Sequence, residues 1–181
     1  GASVGERCLV HAGVRLGSDG FGFAFQGGAH QKIPHVGRCI VGNDAGEILL
    51  VQRKESGVWL YPTGWADVGY SAVEVAMKEV EEETGILAEP VSLLGVVDGM
   101  RMGFSRFGMY MLLFHCRATG GALNPHPLES ADVGWFSRDA LPTPTAGAQW
   151  WGPKAFAAID GALMAADFDS VRDPVWRGTQ S

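Results

Sequence analysis

The chain has 181 residues, of which 46% are hydrophobic and 19% charged, and its formal net charge is −6. This composition supports one globular domain with a small appendage, and the acidic charge argues against a nucleic-acid partner, which needs clustered Lys and Arg. No apolar run approaches the ~20 residues that span a bilayer, and no signal-peptide pattern is visible. Because Cys8, Cys39 and Cys116 are odd in number and lack metal-site spacing, we expect reduced thiols in a cytoplasmic protein without a membrane partner.

Residues 1–33 follow a pattern of their own. Val4, Val10 and Leu16 recur every six residues with small residues between them, which is typical of a β-helix. The stretches HAGVRLGSDGFGFA and KIPHVGR resemble the left-handed β-helix of the UDP-acylglucosamine N-acyltransferases of the lipid A pathway. That activity is not implied, because the family's catalytic His motif lies beyond this fragment and one or two coils cannot bury a solenoid core. We expect a β-rich appendage that adds strands to the next domain, pairs with a second copy in a homodimer, or stays partly disordered.

From about Pro34 the pattern becomes that of a sheet domain. Residues 36–41 and 47–52 are predicted to form two paired strands around a turn at 42–46. The apolar runs 91–98 and 109–116 are typical of central strands covered on both faces, and 133–136 is a further predicted strand. Pro153 is predicted to open a helix that runs to about residue 166, with four packing residues: Phe156, Ala157, Ile159 and Leu163.

A short acidic helix is predicted between these strands. Ser71 followed by Glu74 forms a capping box at its start, and Gly85 after Thr84 supplies its end. Apolar residues at three- and four-residue spacing predict one side that faces a core: Val73, Ala76, Met77 and Val80.

Three carboxylates lie on a neighbouring side of this helix. Glu79, Glu82 and Glu83 have helical spacing, and their mutual repulsion favours a partner that neutralises them. Mg²⁺ takes oxygen ligands, is held by one or two carboxylates and leaves room for water and phosphate. The alternative is a solvated Glu-rich helix face.

Gly64 together with KEVEEETGI at 78–86 resembles the Nudix box. That motif reads Gly, five residues, Glu, seven residues, then Arg-Glu-U-x-Glu-Glu-x-Gly-U, where U is a bulky aliphatic residue. Lys78 replaces the Arg, Tyr70 replaces the first Glu, and Thr63 stands where a second Gly often precedes Gly64. The resemblance implies an α/β fold, a Nudix-type α/β/α sandwich with a mixed β-sheet. We therefore expect an appendage at 1–33, the Nudix domain at 34–158 and a helix end with a tail at 159–181.

The resemblance also implies a metal-dependent hydrolase. The carboxylates of Glu79, Glu82 and Glu83, with the carbonyl of Gly64, would bind Mg²⁺ or Mn²⁺. The expected reaction cleaves a nucleoside diphosphate linked to another moiety, an ADP-ribose-like or sugar-nucleotide substrate. Glu79, Glu82 or Glu129 would accept the proton from water, with Glu129 in the loop that precedes the 133–136 strand.

Three further residues are candidates for binding this small nucleotide. Arg53 could pair with diphosphate oxygens, or could be ordinary surface charge. Trp65 could stack on a base, or could fill the core. Arg101 lies in a predicted loop with a second Arg and two Phe that could clamp a nucleotide, or be a plain hairpin tip.

The departures from the box leave other functions open. Tyr70, Thr63 and Lys78 are compatible with a Nudix-fold module that binds a nucleotide and turns it over poorly. Two unrelated resemblances that meet without a linker also suggest a recombined or engineered chimera, in which the fusion serves a structural purpose.

Overall fold

The computed structural model describes residues 23–26, 29–32, 35–66, 69–103 and 109–171, so the six-residue repeat at 4–16 and Cys8 lie outside the described residues. Within these ranges the chain forms ten strands and two helices: β1 Phe23–Gln26, β2 Ala29–Lys32, β3 His35–Gly42, β4 Ile48–Arg53, β5 Trp59–Leu60, β6 Thr63–Trp65, α1 Ala72–Thr84, β7 Ile86–Asp98, β8 Tyr110–Gly121, β9 Ser130–Phe136, α2 Ala148–Ile159 and β10 Asp167–Phe168.

One mixed sheet organises the domain. Its strand order is β10-β7-β8-β3-β4-β5, with β6 also paired to β3 and β9 to β4. The pair β3–β8 is parallel, whereas β7–β8, β4–β9 and β3–β6 are antiparallel. The predicted turn after β3 is confirmed by hydrogen bonds between Asn43 and Glu47 and from Gly46 to Asn43. Strands β1 and β2 form a separate antiparallel hairpin.

Each face of the sheet is covered by one helix. Successive strand residues point to opposite faces, so β3 and β4 supply both cores. On one side Ile40 and Leu50 pack in a cluster with Trp151 and Phe156 of α2. On the other side a second cluster joins β3 and β4 to α1 and β7, with Cys39, Val41, Leu49, Ala76, Val80 and Ile86 as buried members. The predicted α/β/α sandwich is confirmed, and each buried aliphatic side chain contributes about 1.5–3 kcal/mol.

Helix α1 approaches the sheet closely at a glycine. A Cβ on Gly37 of β3 would lie 2.8 Å from the carbonyl oxygen of Ala72, so a larger residue would push the helix away. The buried side of α1 differs in part from the prediction, because Val75 is buried while Val73 and Met77 are only half-buried. The helix presents Val75, Ala76 and Val80 to the sheet, which turns the neighbouring glutamates toward β6.

The second helix corrects the prediction at its N-terminus. Helix α2 begins at Ala148, and Pro153 lies inside it instead of opening it. Trp151 is 1% exposed and packs edge-to-face on Tyr61, and this burial favours helix in the turn before the proline despite its missing N–H. Phe156 is buried as predicted, but the helix ends at Ile159 and Leu163 is fully exposed.

Strand β7 also differs from its prediction. The strand starts earlier than residue 91, and only the two residues of β10 pair with its outer edge, at Gly95 and Val96. Leu87, Val91 and Leu93 are exposed, so β7 is not covered on both faces. Strand β8 lies between β7 and β3 and is the central strand that the sequence predicts.

The predicted reduced thiols are wrong for two of the cysteines. Cys39 and Cys116 are joined in a buried disulfide between the adjacent strands β3 and β8, with their Cα atoms 6.2 Å apart. The two cysteines are 77 positions apart in the sequence, so only the parallel pairing of the strands brings them together. Within the described ranges, neither helix is long and apolar enough to cross a membrane.

Candidate active site

The acidic helix is fixed at both ends by its own sequence. Ser71 Oγ accepts a hydrogen bond from the Glu74 N–H, and the Glu74 carboxylate accepts one from the Ser71 N–H at 2.6 Å. Gly85 ends the helix with φ 74°, a left-handed conformation that favours glycine. The predicted capping box and stop are confirmed, and they hold the glutamate side of α1 in one orientation.

That side forms one wall of a cleft of about 730 Å³. Among the described residues, five carboxylates, three cationic side chains and two apolar side chains line the cleft. The full lining there is Arg53, Lys54, Glu55, Ser56, Thr63, Gly64, Trp65, Lys78, Glu79, Glu82, Glu83, His126, Leu128 and Glu129. The structure therefore brings together every predicted metal ligand and every predicted catalytic residue, along with Arg53 and Trp65.

Glu79 lies directly against Gly64. A Cβ on Gly64 would overlap the Glu79 carboxylate, so only glycine leaves space for it at this point of β6. Burial, together with the nearby charges of Glu83 and Glu82, raises the pKa of Glu79 to about 7. This carboxylate is crowded by like charges and would be relieved by a cation.

Glu83 is the most buried of the three carboxylates, with 3% of its side chain exposed. Arg53 Nη1 lies 2.8 Å from its Oε1, and the Thr63 N–H donates to its Oε2 at 3.0 Å. Burial raises the pKa of Glu83, while the Arg53 charge and the Thr63 hydrogen bond oppose that rise. Arg53 thus acts as the internal counterion of Glu83, and it also lies 3.7 Å from Glu129.

Glu82 is half exposed at the mouth of the cleft and pairs with Lys78. Lys78 Nζ lies 3.6 Å from Glu82 Oε2 and 5.9 Å from the centroid of the Tyr70 ring. Lysine and tyrosine replace the Arg and the first Glu of the box, and here they contact each other as cation and ring.

The other wall is the loop 122–129, which backbone hydrogen bonds attach to α1 and to the end of β4. Asn124 N–H donates to the Thr84 carbonyl at 2.8 Å, and His126 N–H donates to the Glu83 carbonyl at 3.2 Å. Lys54 N–H donates to the Glu129 carbonyl at 3.0 Å, and its Nζ donates to the Pro127 carbonyl at 2.7 Å. These bonds place Glu129 in the cleft, with 59% of its side chain exposed.

Of the other two predicted substrate-binding residues, Trp65 lines the cleft and Arg101 does not. Trp65 is 53% exposed at the cleft, so it does not fill the core. Arg101 does not line the cleft, and its guanidinium donates to the Ser170 carbonyl at 2.9 Å. His126 and Thr63 also line the cleft, and no sequence pattern selects either as a site residue, because the contacts that place them join distant segments.

The donor set suits a hard divalent cation. Carboxylate and carbonyl oxygens are what Mg²⁺ and Mn²⁺ prefer. In the described ranges no three acidic, His or Cys side chains converge as a metal site, since Glu83 faces Arg53 and Glu82 faces Lys78. The crowding of like charges at Glu79, beside the backbone of Gly64, fits a cation at this wall.

One known protein family matches most of this chain. The family model described as NUDIX domain matches residues 33–158, well over half of the chain. The chain belongs to the Nudix family. It is similar to the 8-oxo-dGDP phosphatase NUDT18 of Mus musculus, with 38% identity over 108 residues, 56% of this chain and 32% of the mouse protein. The chain thus spans about a third of that relative's length.

Solved Nudix structures match over most of the domain. A UDP-X diphosphatase superposes with a TM-score of 0.65 at 26% identity, covering 78% of this chain and 69% of the other. An ADP-ribose pyrophosphatase from Streptococcus suis gives a TM-score of 0.63 at 27% identity, covering 75% of this chain and 98% of the other.

The N-terminal region has a different relative. It is similar to a UDP-3-O-acylglucosamine N-acyltransferase from Methylobacterium sp. (strain 4-46), with 56% identity over 43 residues, 24% of this chain and 12% of that enzyme. Both resemblances predicted from the sequence are confirmed, and their meeting in one chain is consistent with a chimera.

Proposed function

We propose that this Nudix domain hydrolyses the diphosphate linkage of a nucleoside diphosphate joined to another moiety, with Mg²⁺ or Mn²⁺. The observation that carries the proposal is one cleft that contains Glu79, Glu82, Glu83 and Gly64 beside three cationic side chains. The names of its relatives share one chemistry, since 8-oxo-dGDP, UDP-X and ADP-ribose all contain a nucleoside diphosphate.

The three glutamates and the Gly64 carbonyl would hold the cation, which when bound neutralises phosphate charge and acidifies bound water. Arg53 and the two lysines provide cationic hydrogen-bond donors for diphosphate oxygens. Glu129 is exposed in the cleft and lies near Arg53, so it can accept a proton from an attacking water. Positioning and charge supply most of the rate enhancement in such a site.

The substrate that we favour is ADP-ribose-like or a sugar nucleotide. The exposed indole of Trp65 offers a stacking surface for a nucleobase at the mouth of the cleft. The openness of the cleft beside Leu128, which is 80% exposed, leaves room for a second group beyond the diphosphate.

A panel assay tests the proposal. The protein is incubated with Mg²⁺ and ADP-ribose, UDP-sugars, NADH, diadenosine polyphosphates, nucleoside triphosphates and 8-oxo-dGDP, and the products are separated by chromatography. We expect cleavage of at least one diphosphate, with a loss of about 1,000-fold in kcat for Glu82→Gln, which removes one carboxylate charge from the mouth.

A second candidate function is a nucleotide-binding module that turns over poorly. Tyr70 and Lys78 favour it, because Tyr70 removes an outer carboxylate and Lys78 lacks the planar fork of Arg. Tight binding of the panel compounds without cleavage would support this module, and Tyr70→Glu would then increase turnover.

We also propose that residues 1–33 are an appendage to a catalytic domain at 34–158 followed by a helix end and tail at 159–181. The match of the N-terminal region to an unrelated acyltransferase supports this division. A chain lacking residues 1–33 should keep the hydrolase activity. Light scattering of both forms would test whether the appendage drives a homodimer or serves only as a structural fusion.

A further inference from the structure

Two polar side-chain atoms of the cleft are buried and unpaired. Thr63 Oγ1 and His126 Nδ1 each expose less than 1 Å², and neither has a hydrogen-bond partner within the described residues. Both residues line the cleft. Buried polar atoms in proteins are nearly always hydrogen-bonded, so two exceptions in one cleft indicate a ligand that completes them.

Both residues are attached to Glu83 from different segments of the chain. Thr63 on β6 donates its N–H to the Glu83 carboxylate at 3.0 Å, and His126 on the loop 122–129 donates its N–H to the Glu83 carbonyl at 3.2 Å. The His126 carbonyl in turn accepts from the Ser130 N–H at 3.0 Å. The backbones of both residues are therefore held next to Glu83, the most buried of the three glutamates.

Depth in the cleft identifies the part of the substrate that they meet. The rim consists of exposed apolar side chains, with Trp65 53% and Leu128 80% exposed, and suits the nucleoside or its attached group. The buried end, beside Glu79 and Glu83, suits the diphosphate. A hydroxyl and a neutral imidazole can each donate one hydrogen bond to a phosphate oxygen.

We propose that Thr63 and His126 are substrate-binding residues that hydrogen-bond the diphosphate oxygens through Oγ1 and Nδ1. This inference rests on the proposed function and deepens it. Neither residue belongs to the set proposed to hold the cation. Both contact Glu83 through their backbone N–H groups, from different segments of the chain.

The test measures binding to the full chain by calorimetry in Mg²⁺. The probes are the α,β-methylene analogue of ADP and methylenediphosphonate, whose P–C–P bridges resist hydrolysis. His126→Phe keeps a ring without a polar atom, and His126→Asn keeps a polar atom at the position of Nδ1. Thr63→Val and Thr63→Ser form the matching pair. We expect the Phe and Val variants to weaken both probes about 10-fold, and the Asn and Ser variants to stay within about threefold of the parent chain.

Other results would overturn the inference. Unchanged binding by His126→Phe and Thr63→Val would do so, and so would a loss confined to the ADP analogue, which would place the contact on the nucleoside. Equal weakening by His126→Asn and His126→Phe would show that ring packing matters instead. If His126→Phe does not fold, as judged by its melting curve, the Thr63 pair decides. A parent chain that binds neither probe overturns the proposed function together with this inference, whereas a binding parent with indifferent variants overturns this inference alone.

Discussion

The two walls of the cleft are built by different means. The wall of α1 and β6 carries Glu79, Glu82 and Glu83 within five residues of chain, where helical periodicity alone places them on one side. The wall of the loop 122–129 has no such local order, because backbone hydrogen bonds to the ends of β4 and α1 assemble it. The three carboxylates of the first wall are therefore close together in the sequence, and their negative charges are concentrated on one side of α1. We expect changes there to affect turnover most, and changes at the counterion and the rim to affect stability or binding.

Gly64→Ala should produce the largest effect among the four changes that follow. The added Cβ would overlap the Glu79 carboxylate and displace it, so we expect kcat to fall about 100-fold. Gly152→Ala is the matched control, because a Cβ on this buried glycine of α2 meets nothing within 4 Å. Steady-state kinetics of both variants make the measurement. Equal kcat in the two variants would show that turnover does not depend on the position of the Glu79 carboxylate.

Arg53→Gln should come next, as a loss of stability. Without the guanidinium, the buried Glu83 carboxylate has no counterion, and we expect about 2 kcal/mol less free energy of unfolding near neutral pH. Arg117→Gln removes the same group from a pair with Glu89 that is exposed on both sides, and should cost under about 0.5 kcal/mol. Urea unfolding in the presence of EDTA compares the two.

The pH dependence of that loss has a definite sign. Burial already holds the pKa of Glu83 above its ordinary value of 4.5, and removal of Arg53 raises it further. Stability linked to this group is present below the unfolded pKa and is lost as pH rises through the folded pKa. The cost of Arg53→Gln should therefore shrink as the pH falls toward 4.5. A cost that grows on acidification would contradict the assignment of Arg53 as counterion.

Trp65→Ala should act on substrate binding alone. The indole is half exposed at the rim, so its removal leaves little cavity, but a stacked base would lose its partner and KM should rise about 10-fold. Trp65→Phe retains a ring and should stay near the parent. A fall in melting temperature without a change in KM would show that Trp65 supports the fold instead of the substrate.

In the absence of metal, Glu79→Gln should change the free energy of unfolding less than Arg53→Gln and in the stabilising direction, apart from the loss of turnover expected when a metal ligand is removed. The pKa of Glu79 is about 7 in the folded chain against an ordinary value of 4.5, so the free energy of unfolding declines as pH rises between these values. The Gln variant carries no charge at this position, so it should be more stable than the parent by about 1 kcal/mol above pH 7 in EDTA. Solvent screens the partly exposed carboxylate of the parent and keeps this difference small. Below pH 4.5 the two chains should unfold alike. Equal stability at high pH would mean that the first wall is not electrostatically crowded.

Features that depend on neighbouring residues could be predicted from the sequence, whereas features that depend on contacts between distant segments could not. The capping box, Gly85 and the glutamate spacing depend on neighbouring residues, and α1 with its carboxylates is found as predicted. The disulfide between Cys39 and Cys116 and the placement of His126 depend on which strands pair, which no local pattern contains. Helix α2 shows the same limit, since the burial of Trp151 overrides the preference of Pro153 for a first turn.

The central prediction is that Glu79, Glu82 and Glu83 on α1 together hold a divalent cation. Anomalous diffraction from crystals of the full chain grown with Mn²⁺ tests it most directly. We predict a manganese peak enclosed by the carboxylates of Glu79, Glu82 and Glu83 and the carbonyl of Gly64, with Glu83 turned from Arg53. A cleft without manganese at saturating concentration, or manganese bound only elsewhere on the surface, would contradict the account.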